Sequence, residues 1–121
     1  MPQPIDLPNQ EPESELNSIQ RSILEGEAIE TLQTIYDPEL PVNIYDLGLI
    51  YDVQVDENAH CHVLMTLTSP NCPVAESLPV DVHNSMAAIP GIKSVKVDLT
   101  WDPPFTMDRM ADHVKLQLGL L

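Results

Sequence analysis

Cysteine 72 occupies the position in the chain where chemistry is most readily imagined. In "MTLTSPNCPV", residues 65–74, a strand-like run breaks at Ser69-Pro70-Asn71 and a thiol stands directly before Pro73. The residues that follow read as a helix, so Cys72 falls at its N-cap or just outside it. Pro73 brings no amide hydrogen. The free amides of the next turn and the positive end of the helix dipole would still stabilise a thiolate, making Cys72 a nucleophile or a ligand for a soft metal. Thr66, Thr68 and Ser69 precede it and can present hydroxyls towards the same point. The competing reading is a small apolar side chain packed beneath the loop, and the residues alone leave both open.

A second group of candidates lies in "DPELPVNIYDLGLI", residues 37–50. Asp37, Glu39 and Asp46 fall in the connection between a helix and a strand, and a two-layer fold could return them to the end of another strand as a mixed thiolate and carboxylate pocket. The plainer reading gives Asp37 and Asp46 to turns, the commoner use of Asp before Pro38 and before Leu47-Gly48. His60 and His62 flank Cys61, and strand alternation puts both imidazoles on one face with the thiol on the other. A two-histidine metal site would need a third ligand, which no useful spacing supplies, so Cys61 is read as core. His83 and His113, on predicted helices, are given no role. No phosphate loop, dinucleotide fingerprint, Cys-x-x-Cys pair or Gly-x-Ser-x-Gly elbow is present. A cysteine hydrolase would require a general base beside Cys72, which sequence does not place.

The elements that must position these residues follow from hydrophobic period. Ile19, Ile23, Leu24, Ala28, Leu32, Ile35 and Tyr36 recur at helical steps from about Ser18 until "YDPELP". Tyr51, Val53 and Val55, then Cys61, Val63, Met65 and Leu67, alternate on either side of "DENAH" as a hairpin. Val74, Leu78, Val82 and Met86 give a second helix that Pro79 must kink or shorten, with Pro90-Gly91 as its stop. Ile92, Val95, Val97 and Leu99 form a third strand, with a shift after Ile92, and "WDPPF" makes a rigid bend. A last helix is predicted with Thr106 as cap, Met107, Met110, Ala111, Val114 and Leu118 inward, and Gly119 near its end. The order helix-strand-strand-helix-strand-helix predicts a small two-layer α+β domain, with one antiparallel and one parallel strand pair in a mixed sheet and helices packed on it.

Composition bounds the function. A chain of 121 residues makes one domain. No apolar run approaches a membrane span and the N-terminus lacks a signal pattern, so the expectation is a soluble, cytoplasmic protein without membrane association. Residues 1–17, with prolines at 2, 4, 8 and 12 among acids and amides, read as a disordered acidic arm ahead of a domain at 18–121. Nineteen acidic residues face five basic ones, and the chain after residue 15 still carries about −10. That field and the scattering of Arg21, Lys93, Lys96, Arg109 and Lys115 argue against nucleic acid as a partner. Two cysteines cannot cage a four-thiolate cluster, so any cluster held here must borrow ligands.

Four ordered segments, "DPELPVNIYDLGLIYDV", "MTLTSPNCPVAESLP", "IPGIKSVKVDLTWDPPF" and "MADHVKLQLGL", together resemble the SufT-like metal-sulfur cluster assembly family. The same domain occurs in PaaD-type proteins and eukaryotic cytosolic iron-sulfur targeting factors. The resemblance covers about residues 20–121. It implies a compact α/β domain in iron-sulfur protein maturation, with Cys72 as the reactive cysteine, Asp37 and Glu39 as the acidic motif, Asp46 as the following aspartate and Thr66 and Thr68 as the family threonines. Trp101, Asp102, Pro103 and Pro104 match its Trp-Asp-Pro-Pro element. The cysteine-rich C-terminal segment of PaaD-type proteins and the P-loop ATPase fused to some relatives have no counterpart in this sequence. The expectation is therefore a non-enzymatic factor that helps deliver clusters to client apoproteins from scaffold or carrier proteins, with Cys72 as a transient thiolate ligand of an iron-sulfur cluster. A homodimer could bring two copies of Cys72 together. Two alternatives stand beside it: an adaptor that docks clients through an apolar edge and the "WDPPF" loop with Cys72 structural, and a small thiol-dependent enzyme using Cys72 as nucleophile.

Overall fold

The first helix, α1 (Ser18–Leu32), starts where Asn17 and Gln20 satisfy each other's backbone. The Gln20 amide donates to Asn17 Oδ1 at 2.8 Å, and the Asn17 amide donates to Gln20 Oε1 at 3.0 Å. In this computed structural model, which describes residues 16–37, 40–68 and 77–120, α1 buries Leu24, Ala28 and Leu32 at four-residue steps. The inward face is narrower than the sequence period suggested. Ile19 and Ile23 are 70% and 57% exposed. Ile23 lies about 100° around the helix from Leu24, so only one of the two can face the sheet. The helix also stops at Leu32, and Tyr36, expected on its inner face, instead forms a single antiparallel bridge with Asn43 and is exposed.

A four-residue helix that periodicity could not show, α2 (Ile44–Leu47), follows. The side chain of Asn43 accepts the Asp46 amide at 2.8 Å, and Gly48 closes the turn at φ 95°. The hairpin forms as expected from β1 (Ile50–Val55) and β2 (His60–Met65), antiparallel with Val53 opposite Val63. In its turn the Asp56 side chain accepts the amides of Asn58 and His60, and these bonds, chiefly that from His60, hold its carboxyl below the usual range.

The second long helix, α3 (Ser77–Ala87), buries Leu78, Val82 and Met86 and leads to β3 (Ser94–Leu99), which pairs parallel with β2. Pro79 was expected to kink or shorten this helix, and the described span begins at Ser77, two residues before it. Pro79 sits in the first turn of that span, where no intrahelical amide donor is required. The strand order is β1-β2-β3, with β2 central. Cys61, Val63 and Met65 point into a core shared with α1 and α3, while His60, His62 and Leu64 alternate onto the opposite face. Leu99, expected inside, is 39% exposed because it ends an edge strand.

The C-terminal segment departs most from expectation. A 3-10 turn at Met107–Arg109 precedes the short α4 (Asp112–Gln117). Thr106 stands at the start of the 3-10 turn but makes no side-chain capping bond, and Met107 is exposed. Met110 and Val114 are buried, and Gly119 takes φ 79° after the helix, as expected. No helix among the described residues is long and apolar enough to cross a membrane. The predicted arm lies outside the described residues except for Leu16 and Asn17.

Candidate functional site

One end of the sheet gathers the start of β1 and the ends of β2 and β3. The Thr66 amide donates to the Leu49 carbonyl at 2.8 Å, and the Thr100 amide donates to the Met65 carbonyl at 2.9 Å, extending the pairing past the strands. Thr66 is fully buried, its hydroxyl 3.4 Å from the Leu67 carbonyl, while Thr68 is exposed. Cys72 and Glu39 lie outside the described residues, so the pocket expected to unite the cysteine with the acidic motif rests on the sequence reading.

Asp37 and Asp46 are brought into one small unit. The Ile44 amide donates to Ile35, Tyr36 bridges Asn43, and the Asp37 amide donates to Val42 at 3.0 Å. This short hairpin leads directly into α2. Asp37 is 7% exposed, and its Oδ1 accepts the Leu40 amide at 3.0 Å. Asp46 does more than end a turn. Its Oδ2 accepts from Asn43 Nδ2 at 2.9 Å and lies 3.1 Å from His113 Nε2, and its carbonyl accepts the Ala111 amide at 2.9 Å. It therefore ties α2 to the C-terminal segment. His113 had no role in the sequence reading, and no signal could have found it at a separation of 67 positions. Asn43, three residues ahead of Asp46, has the residue type and spacing of a helix cap, a signal the sequence reading did not use.

The "WDPPF" element is anchored beside this unit. Thr100 Oγ1 donates to the Asp102 carbonyl at 3.0 Å and accepts the Asp102 amide at 3.2 Å, and the Asp102–Pro103 peptide is cis. The Tyr51 hydroxyl donates to the Pro103 carbonyl at 2.6 Å, while the Arg109 guanidinium lies 4.1 Å from the centroid of the Tyr51 ring, a cation–π contact. The backbone of Arg109 packs on Gly48. A methyl group there would lie 2.5 Å from the Arg109 carbonyl oxygen. Between these parts opens a cavity of about 320 Å³ lined by Tyr45, Asp46, Gly48, Ile50, Arg109 and Ala111. Trp101 is 44% exposed.

The remaining titratable candidates are accounted for elsewhere. His60 pairs with Ser94, and His62 Nε2 lies 2.8 Å from Asp98 Oδ2, a bond that leads the lowering of the Asp98 carboxyl below its ordinary range. Among the described residues no group of three or more His, Cys, Asp or Glu side chains is placed to hold a metal ion. Cys61 is buried in the core, as read from sequence. Burial, with the nearby Glu25 charge adding to it, pushes its thiol up to about 11, so it is a poor nucleophile at neutral pH. Cys72, the cysteine expected from sequence to be reactive, lies outside the described residues.

Comparison with known proteins bears on the family. A family model described as iron-sulfur cluster assembly protein matches residues 25–99. An Fe-S protein maturation auxiliary factor of Porphyromonas gingivalis is 46% identical over 97 residues, covering 80% of this chain and 92% of that protein. The Fe-S protein maturation auxiliary factor SufT of Staphylococcus aureus is 42% identical over 86 residues, covering 71% and 98% of the two chains. The crystal structure of a domain of unknown function from Bacillus anthracis superposes with a TM-score of 0.80 at 35% identity, covering 87% of this chain and all of that one.

Proposed function

The chain belongs to the iron-sulfur cluster assembly protein family, and from that premise we propose that it is a maturation factor acting without turnover of its own, in the cytoplasm, between scaffold or carrier proteins and client apoproteins. The observation that carries this reading is the match to maturation auxiliary factors over nearly their whole length, 92% and 98% of two of them. The cluster is cargo. One Cys72 thiolate replaces one donor thiolate on a cluster iron, and a client thiolate later replaces Cys72. An iron–sulfur bond breaks as another forms, and no electrons change hands.

A single thiolate suits this exchange because a stably caged cluster takes four protein ligands. The first residues of α3 and the end of β2 bracket the cysteine segment, and the Asp37–Leu40 bond and the Asp46–His113 junction hold the neighbouring loops. Asp37, Glu39 and Asp46 shape the pocket, with Thr66 and Thr68 holding its threshold. The test is anaerobic incubation with ferrous iron and sulfide, or with a loaded scaffold, comparing bound iron and visible absorption in wild type and Cys72→Ala. Chromophore lost in the variant supports carriage, and equal binding in both proteins removes Cys72 from the mechanism.

A second reading is favoured by the exposure of Trp101 on a loop whose backbone is pinned at Thr100 and Pro103. Such a fixed indole suits a client contact. If the protein is an adaptor alone, Trp101→Ala abolishes client maturation while Cys72→Ala spares it.

A further inference from the structure

The two edges of the sheet are built differently. At β1 the outward amide of Val55 is taken by Glu25 Oε2 at 2.9 Å, and the register with β2 shifts between Ile50 and Asp52. A capped amide and an irregular strand both discourage another strand from adding there. Strand β3 pairs with β2 through six consecutive residues without a shift, and its other side is an edge of the described sheet. Beside that edge α3 leaves Val80 54% exposed, and Pro79, Val80, His83 and Val97 line a groove of about 260 Å³.

We propose that β3 is a self-pairing edge, through which two copies of this chain join antiparallel about a twofold axis at Val97 to form a six-stranded sheet. Charge selects this occupant. In that register Lys96 of each copy stands opposite Asp98 of the other, giving two symmetric ion pairs on the open face. Both side chains are accessible, at 75% and 43% exposure, and already lie 3.8 Å apart within one chain. On the helical face Val95 meets Leu99 of the second copy and Val97 meets its own counterpart, covering the exposed Leu99. Centring the axis on Lys96 or on Asp98 would set like charges opposite one another, so the sequence favours one register.

The rest of the chain argues for the same choice. Two molecules of net charge −14 repel at most approaches. Lys93 and Lys96, two of only five basic residues, fall at or beside this edge and reduce the repulsion an equally acidic copy meets there. A closed twofold contact also consumes both edges at once and leaves no growing fibre.

The geometry has a consequence for the cysteine. Because β2 runs parallel to β3, the two β2 ends from which the cysteine segments depart point in opposite directions. Standard strand spacing and rise place the two Met65 residues roughly 20 Å apart. The pairing makes no use of Cys72, and it stands or falls independently of cluster carriage.

The test is sedimentation velocity of the full chain over about two decades of concentration, with Lys96→Glu, Asp98→Lys and the double variant. Each single change is expected to weaken self-association by about tenfold or more. The double variant regains it, and an equimolar mixture of the two single variants forms a heterodimer. A second, independent reading uses Val97→Cys in a Cys72→Ala background, which mild oxidation should convert to a covalent dimer through the axis. A wild-type protein monomeric throughout, a dimer indifferent to both charge changes, or failure of the Val97→Cys chains to cross-link would each overturn the proposal.

Discussion

Replacing Gly48 by alanine is expected to loosen the whole C-terminal half of the candidate site. Two costs combine. Gly48 has φ 95°, in the left-handed region, where an alanine loses about 1 kcal/mol relative to glycine. The new methyl would also lie 2.5 Å from the Arg109 carbonyl oxygen and 2.7 Å from its carbon. Those are backbone atoms and cannot rotate away, so the 3-10 turn must shift, at a cost typical of overpacking, about 1–3 kcal/mol. The expected loss is about 2–4 kcal/mol, a large part of the stability of a domain this size. In urea the midpoint should fall by roughly 1–2 M with the slope unchanged. Gly48→Asn separates the two costs. Asparagine tolerates the left-handed region, so if φ alone mattered it would restore stability, but with the Arg109 contact it should fare no better than alanine. An alanine variant within about 0.5 kcal/mol of wild type, or an asparagine variant that is fully stable, would refute the reasoning.

Other expectations follow from the titratable groups and from the junction at Asp46. The Cys61 thiol should resist alkylation in the native protein near neutral pH and react once unfolded. Its folded pKa, raised from 9.0 to about 11, gives stability that is full below the unfolded value and lost as pH rises towards the folded one. That loss is about 3 kcal/mol across the window, and Cys61→Ala should remove this part of the alkaline slope. Asp98 is shifted downwards, so its contribution is present above the unfolded carboxylate range and disappears as pH falls through the folded value. Unfolding followed from weakly acidic to strongly acidic pH should show a shallower decline for Asp98→Asn than for wild type. A double-mutant cycle on Asp46→Ala and His113→Ala should return a coupling of about 0.5–1.5 kcal/mol, and additive effects would show the two side chains to be independent.

The parts of the fold that sequence revealed were those with a repeating period. The hairpin, the parallel third strand and the buried line Leu78, Val82 and Met86 are all set by alternation or four-residue spacing. Period could not decide between adjacent apolar residues. Ile23 and Leu24 both fit a helical stripe, and only the position of the sheet puts Leu24 inside. Neither α2 nor the 3-10 turn is long enough to repeat, and they hold their shape through Asn43, Gly48 and contacts distant in sequence. Period alone does not fix where a helix starts, and Pro79 falls in the first turn of the described span of α3. For the site, Asp37 was legible as a turn residue before proline, and the structure adds its burial. The partnership of Asp46 with His113 is purely tertiary and leaves no local trace. Cys72 was singled out from chemistry and from family resemblance, and it lies outside the described residues.

The anchoring of α2 by the C-terminal segment also sets a schedule for biosynthesis. Asp46 leaves the ribosome early, yet the partners that hold it, Ala111 and His113, are made some 67 residues later. Gln117 likewise donates back to the Pro41 carbonyl at 3.2 Å. A nascent chain can pair β1 with β2 and seat α1 long before these clasps exist. The acidic connection then completes its folding only after residues 111–117 have emerged, so a product truncated or stalled before them would carry a formed sheet with an unfastened site.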